Sequence, residues 1–146
     1  RMLELAEVRP GDVVLDLGCG DGRIVIEAAK RYGVRGVGID LDPQRIRECH
    51  ENARAAGVEH LVEFRQADVM QENCSAASIV MMYLPPKACL QLSARLLQEL
   101  PPGARIVSHN ADPGGWDKVE ACSGSRYPSL LYVRKVPERR KAAGQN

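Results

Sequence analysis

Neither charge dominates this chain of 146 residues: twenty Lys and Arg stand against nineteen Asp and Glu, a formal net charge of +1. That balance gives no general reason to expect a polyanionic partner, so nucleic acid stays open without being favoured. No apolar run approaches the roughly 18 residues that suggest a membrane span. The first residues hold neither a signal-peptide core nor an Arg-rich amphipathic presequence. Five cysteines (Cys19, Cys49, Cys74, Cys89 and Cys122) form no C-x-x-C pair, and no His stands at zinc-finger spacing, so no metal site is expected. Disulfides would leave one thiol over, which makes a reducing compartment the simpler reading and the cytoplasm the expected location. Internal repeats, low-complexity blocks and domain linkers are absent. What is present is an apolar fraction of 45%, enough to exclude a disordered chain and to fill one small core. A single domain is expected over residues 1–136, with a basic, frayed tail at 137–146.

The chain reads as alternating strands and helices. Asp12 to Leu17 is a short apolar run of the kind a strand buried on both faces shows. A glycine loop from Gly18 to Gly22 leads into a helix over Arg23 to Tyr32. Gly36 to Asp40 is a second strand. Asp42 and Pro43 supply the cap and first turn of a helix ending at Gly57, with Ile46, Cys49, Ala53 and Ala56 on its core side. Strands at Leu61 to Arg65 and Ser78 to Tyr83 flank a polar stretch too short for a full helix. Pro86 to Leu100 is a leucine-rich helix, and Ala104 to Ser108 a fifth strand. Lys118 to Cys122 and Leu130 to Lys135 then read as two strands joined by a Ser-Gly-Ser turn. Repeated strand–helix units predict an α/β, Rossmann-like, doubly wound and mostly parallel sheet, closed by an antiparallel C-terminal edge hairpin.

The most informative stretch is the loop Asp16-Leu17-Gly18-Cys19-Gly20-Asp21-Gly22-Arg23, between a strand and a helix. In such sheets that is where a nucleoside ligand binds. The spacing G-x-G-x-G differs from the G-x-G-x-x-G of nicotinamide sites. Asp16 and Asp21 would also repel a pyrophosphate at the helix start. They suit a ligand that carries an ammonium and a sulfonium, which is S-adenosylmethionine (SAM). The plainer reading is that Asp21 caps the helix and Asp16 bonds the loop backbone. Asp40, at the end of the second strand, can accept from ribose hydroxyls, with Leu41 following it. Asp68 follows the third strand and can accept from an adenine amino group, with the Val69 amide near the ring. Three carboxylates at the ends of three successive strands predict a nucleoside pocket.

These motifs resemble the class I SAM-dependent methyltransferases: DLGCGDGR is similar to that family's first motif, GIDLDP to its second-strand motif, and Ala67-Asp68 to its adenine motif. The resemblance runs from about Val8 to Val136. It implies that the loop around Asp16, Gly18, Cys19, Gly20 and Asp21 holds the methionine moiety, Asp40 the ribose and Asp68 the adenine. It also implies helices ahead of the first strand that close over the cofactor, of which few residues are present here.

The second half resembles a narrower group. MMYLPP followed by a helix, and then PPGARIVSHNADPGGW, are similar to the protein-lysine methyltransferases related to those of mitochondrial ATP synthase subunit c and the adenine nucleotide translocase. The likeness departs after His109, where Ala111 and residues 113–115 replace an aromatic and an acidic residue. The N/D-P-P-Y motif of amino-methylating DNA enzymes is missing. A protein lysine is therefore the expected acceptor; a small molecule or RNA, or a SAM-binding module without catalysis, are the other readings. Displacement at a sulfonium methyl needs alignment and a desolvated nucleophile, and a lysine must first lose a proton. Tyr83 can orient the amine or face its charge, and His109 can take the proton. Each also has an ordinary reading: Tyr83 as core packing, His109 as a bonded strand-end histidine, Trp116 as sheet-edge packing.

Overall fold

Residues 2–110, 117–122 and 129–138 are described by the structure, a computed structural model. Trp116 and residues 139–146 of the expected tail lie outside them. A short helix that the sequence pattern did not signal, α1 (Met2–Leu5), comes first. Then follow β1 (Val13–Leu17), α2 (Arg23–Tyr32), β2 (Arg35–Asp40), α3 (Pro43–Ala56), β3 (Val62–Gln66), β4 (Ile79–Met82), α4 (Pro86–Glu99), β5 (Arg105–His109), β6 (Asp117–Cys122) and β7 (Ser129–Lys135). The stretch between β3 and β4 is turns without a helix, as its polarity predicts.

Helix boundaries follow their end chemistry. The Asp42 side chain accepts from the Gln44 N–H, and Pro43 occupies the first turn of α3. Gly57 ends that helix at φ 73°, donating to Ala53 and Arg54 carbonyls. In α4, Cys89, Leu92 and Leu96 recur on one buried stripe.

The sheet order is β3-β2-β1-β4-β5-β7-β6. The first five strands are parallel, and β7 runs antiparallel to both β5 and β6. The expected hairpin is therefore at the edge, with one difference inside it. The strand opposed to the rest is the penultimate one, and the rim strand β6 runs with the parallel set. The free side of β5 accepts β7 because Arg105 to His109 pair residue for residue with Lys135 to Leu131, whereas β6 pairs only with β7.

Alternation along the strands builds two cores. Val14, Ile79, Met81 and Val107 face α2 and α3 together with Val25 and Phe64. Leu15, Leu17, Val80, Met82 and Ile106 face Leu92 and Leu96 of α4. Truncating either buried leucine of α4 to alanine costs about 2–5 kcal/mol. The chain departs from β1 to neighbours on both sides, β2 and β4. The loops after β1 and β4 thus diverge above the carboxyl ends of the strands and open a crevice there.

Candidate active site

The loop after β1 is folded back over β2: the N–H groups of Gly18 and Cys19 both donate to the Ile39 carbonyl, at 2.9 and 3.0 Å. Gly18 sits at φ +81°, and a Cβ there would lie 2.7 Å from Leu84 Cδ2 and 3.3 Å from the Tyr83 carbonyl. Only glycine takes that conformation and that proximity without strain. At Gly20, φ +56°, a Cβ would meet no atom within 4 Å, so this part of the loop faces open space.

That space is a cavity of about 330 Å³ whose walls include Asp16, Gly18, Cys19, Gly20, Asp21 and Tyr83. Asp16 is 1% exposed. Its Oδ1 has no hydrogen-bond partner among the described residues, so the loop backbone does not satisfy it. Burial pushes its carboxyl up to about 8, and the charges of Asp40 and Asp21 add to the shift. An orphaned buried acceptor costs about 1–3 kcal/mol. A ligand bearing an ammonium or sulfonium at that point removes the penalty.

Asp21 is differently placed. Its Oδ1 accepts from the Arg23 N–H at 3.2 Å and Nε at 3.0 Å, and its Oδ2 from Nη2 at 2.8 Å. Those guanidinium bonds hold its carboxyl below the usual range. The helix-start reading and the cavity-wall reading of Asp21 thus coexist. Arg23 and Arg45 also line this cavity, and sequence reasoning gave neither a binding role. Their positions next to the glycine loop and in the first turn of α3 were the available signal. An amino-acid ligand carries a carboxylate beside its ammonium, and these are the cations that can meet it.

Cys19 supports the loop from behind. Its Sγ lies 3.8 Å from Cys49 Sγ, and the Cys49 thiol donates to the Gly20 carbonyl at 3.1 Å. Contact with Cys49, then burial, raises the Cys19 thiol above its ordinary range, so it stays protonated and is no nucleophile.

At the end of β2, Asp40 bonds backbone with both oxygens: Oδ2 accepts from Gly20 N–H and Oδ1 from Asp42 N–H, each at 3.0 Å. A second cavity, about 260 Å³, is walled by Gly18, Asp40, Leu41, Val69, Tyr83 and Leu84. Leu41 is 65% exposed, so with Val69 it presents apolar surface beside a carboxylate, a setting for an aromatic ring and a sugar. Asp68 is exposed and is not among the residues walling this cavity; its Oδ1 accepts from Met70 N–H at 2.9 Å and closes a turn.

The third cavity, about 310 Å³, is formed by Tyr83, Leu84, Pro85, His109 and Asn110 at the ends of β4 and β5. The Tyr83 and His109 rings lie 4.4 Å apart between centroids, 30° from parallel. Tyr83 is 59% exposed, so it is not core packing, and it walls all three cavities. Burial lowers the His109 pKa, leaving a neutral imidazole at pH 7. Asn110 was also missed. At φ +59° its N–H donates to the Leu130 carbonyl at 2.7 Å, and its Oδ1 accepts from Leu130 N–H at 2.8 Å. It fastens the end of β5 to β7 beside His109; asparagine's tolerance of the left-handed region was the signal.

Among known proteins, the model of the ANTKMT methyltransferase domain matches residues 16–120. The chain belongs to that family. A protein-lysine N-methyltransferase of Saccharolobus islandicus is 40% identical over 121 residues, covering 82% of this chain and 75% of its own. The adenine nucleotide translocase lysine N-methyltransferase of Mus musculus is 35% identical over 119 residues, 81% of this chain and 51% of the mouse protein. The chain thus spans three quarters of the archaeal relative and about half of the mouse one. The crystal structure of a protein described as an RNA methyltransferase from Salinibacter ruber, in complex with S-adenosylhomocysteine, superposes with a TM-score of 0.87 at 42% identity. That match covers 100% of this chain and 94% of the other. The chain is a SAM-dependent methyltransferase with a Rossmann-like fold. The residues present fit SAM: a buried carboxylate with one oxygen unpartnered among the described residues, a strand-end carboxylate, and exposed apolar walls beside it.

Proposed function

We propose that this methyltransferase acts on the side-chain amine of a protein lysine. The observation that carries the reading is the Tyr83–His109 pair beside the crevice. When bound, SAM supplies a methyl group on a positively charged sulfur. Asp16 and the glycine loop would hold its cationic end, Asp40 its ribose, and Leu41 and Val69 its ring.

A lysine reaches the enzyme as an ammonium with no lone pair. The open face of Tyr83 attracts that cation. His109, neutral because it is partly buried, can take the proton without first losing one of its own. Leu84 and Pro85 give this cavity apolar lining, and an amine resting against them sheds part of its hydration, which raises its nucleophilicity. The archaeal and mouse relatives, both named as lysine N-methyltransferases, support the same acceptor.

RNA is the second reading, because the Salinibacter protein of 42% identity is described as an RNA methyltransferase. Incubating the protein with methyl-labelled SAM and an enzyme-free extract of its own host separates the two. Label in a protein band, mapped to lysine and lost with Asp40→Ala, is expected. Label in the RNA or small-molecule fraction instead would discard lysine while keeping the enzyme class.

A further inference from the structure

The stretch from residue 67 to 78 joins β3 to β4 without a helix or strand of its own, yet Val69 within it walls the cavity that also holds Asp40 and Leu41. Local turns account for part of its shape: Met70 N–H bonds Asp68 Oδ1, Gln71 N–H bonds the Asp68 carbonyl, and Ser75 N–H bonds Asn73 Oδ1. They leave the carbonyls of Val69, Met70 and Glu72 in need of donors.

One side chain from α4, which shares a core with this loop on the same face of the sheet, supplies them. Arg95 of α4 donates from Nη1 to the Met70 carbonyl at 2.5 Å, and from Nη2 to the carbonyls of Glu72 at 2.8 Å and Val69 at 3.4 Å. One turn further along the helix, Glu99 lies 3.2 Å from Arg95 Nε, and its Oε1 accepts from the Cys74 N–H at 2.7 Å. An arginine and a glutamate spaced i, i+4 therefore grip the two halves of the loop with complementary polarity, the cation on its carbonyls and the anion on an N–H. Arg65 pairs with Glu72 from the β3 side. The planar guanidinium offers donors on separate nitrogens at fixed angles, so one arginine spans carbonyls that the single nitrogen of a lysine does not match as well.

We propose that Arg95 and Glu99 are positioning residues for the cofactor site: they fix the wall on which the adenine end of SAM rests. The inference depends on the placing of the adenosine against Asp40, Leu41 and Val69 given above. Neither residue walls the cavity holding Val69, so their effect passes through the loop.

Calorimetric binding of S-adenosylhomocysteine and of adenosine to the full chain tests this. Arg95→Met is expected to weaken both ligands by about tenfold, within the range for side chains that act on a ligand through packed neighbours. Arg95→Lys is expected to recover only part of that loss; Glu99→Ala is expected to weaken both ligands, and Glu99→Gln, which keeps an acceptor for Cys74 N–H, to weaken them less. Asp16→Asn serves as the opposite marker, weakening S-adenosylhomocysteine and sparing adenosine. In turnover the Arg95 variants should raise KM for SAM and leave kcat at saturating SAM unchanged, a split that general loss of packing does not produce. If Arg95→Met proves unfolded, Arg95→Lys and Glu99→Ala carry the same comparison. Unchanged adenosine affinity in folded Arg95 variants, with Asp40→Ala still weakening it, overturns the positioning role alone. Unchanged affinity in Asp40→Ala as well overturns the placing of the adenosine and the inference with it.

Discussion

Asp40 Oδ2 accepts the Gly20 N–H at 3.0 Å, so the carboxylate that ends β2 also holds the glycine loop that ends β1. One side chain thus sets the shape of two neighbouring subsites. Asp40→Ala should weaken S-adenosylhomocysteine by about 2 kcal/mol, near thirtyfold, because a charged hydrogen bond to the loop is lost and, on the placing proposed above, one to the ribose as well. Asp40→Asn keeps an acceptor oxygen for one of these and should fall between. Titration calorimetry on both variants gives the order, and equal affinity across the three proteins would remove Asp40 from the site.

Asp16 makes the ligand-free protein sensitive to pH in an unusual direction. Its carboxyl is raised in the folded chain from 3.8 to about 8. The folded state then holds the extra proton, so this group's contribution to stability is fully present below pH 4. It declines as pH climbs towards 8, at up to about 1.4 kcal/mol per unit. Asp16→Asn should flatten that slope in denaturant titrations between pH 5 and 8. A cationic ligand reverses the preference and favours the ionised carboxylate. Binding of SAM at pH 7 should therefore release a proton from Asp16, detectable as a buffer-dependent heat that Asp16→Asn lacks. Identical buffer dependence in the two proteins would show that no cation sits at Asp16.

The strand–loop–helix pattern, the caps at Asp42 and Gly57, and the mostly parallel sheet were legible because each rests on local periodicity or end chemistry. The strand-end positions of Asp16 and Asp40 were legible for the same reason, whereas Asp68, past the end of β3, closes a turn and is not among the residues walling the cavity beside Asp40. What sequence could not supply was partnership across the fold. That Asp21 is tied to Arg23, that Asp16 Oδ1 has no donor among the described residues, and that Arg95 serves a loop 21 to 26 residues away all depend on packing. The position of β7 between β5 and β6 is of the same kind: hairpin chemistry predicts that two strands meet, not which of them finds the open side of β5. Tyr83 looked as plausible in the core as in the site, because a strand-end aromatic in an apolar run has the same local pattern in either place.

Gly18 and Gly20 should separate strain from space. Both have positive φ, but a Cβ on Gly18 meets Leu84 and the Tyr83 carbonyl, whereas one on Gly20 meets nothing within 4 Å. Gly18→Ala should cost about 2–3 kcal/mol of stability and Gly20→Ala about 1 kcal/mol, since only the first adds a clash to the backbone penalty. Adding Leu84→Ala to Gly18→Ala should not restore S-adenosylhomocysteine binding, because the Tyr83 carbonyl contact and the φ strain persist. Urea unfolding and calorimetry on these variants check both halves. A Gly20→Ala protein as unstable as Gly18→Ala would mean that the loop is set by φ alone.

On the lysine reading proposed above, Tyr83 supplies a ring and His109 a base, and the contact of the two rings at 4.4 Å lets the two roles be measured apart. Tyr83→Phe keeps the ring over His109 and should retain most of the turnover; Tyr83→Ala removes both the cation-facing surface and part of the cover on the imidazole. Because burial is what lowers the His109 pKa, uncovering it should return that pKa towards 6.5, visible in a proton NMR titration of the imidazole C–H signal. His109→Gln should reduce kcat roughly 10²- to 10⁴-fold if the imidazole takes the amine proton. The depressed pKa places the imidazole's own ionisation below pH 6.5. On the lysine reading, the rise in rate above neutrality then reports the amine, and the His109→Gln defect should shrink towards alkaline pH, where solvent supplies the free amine. A His109→Gln enzyme with unchanged kcat at pH 7 would leave deprotonation to solvent and reduce His109 to a support for the Tyr83 ring.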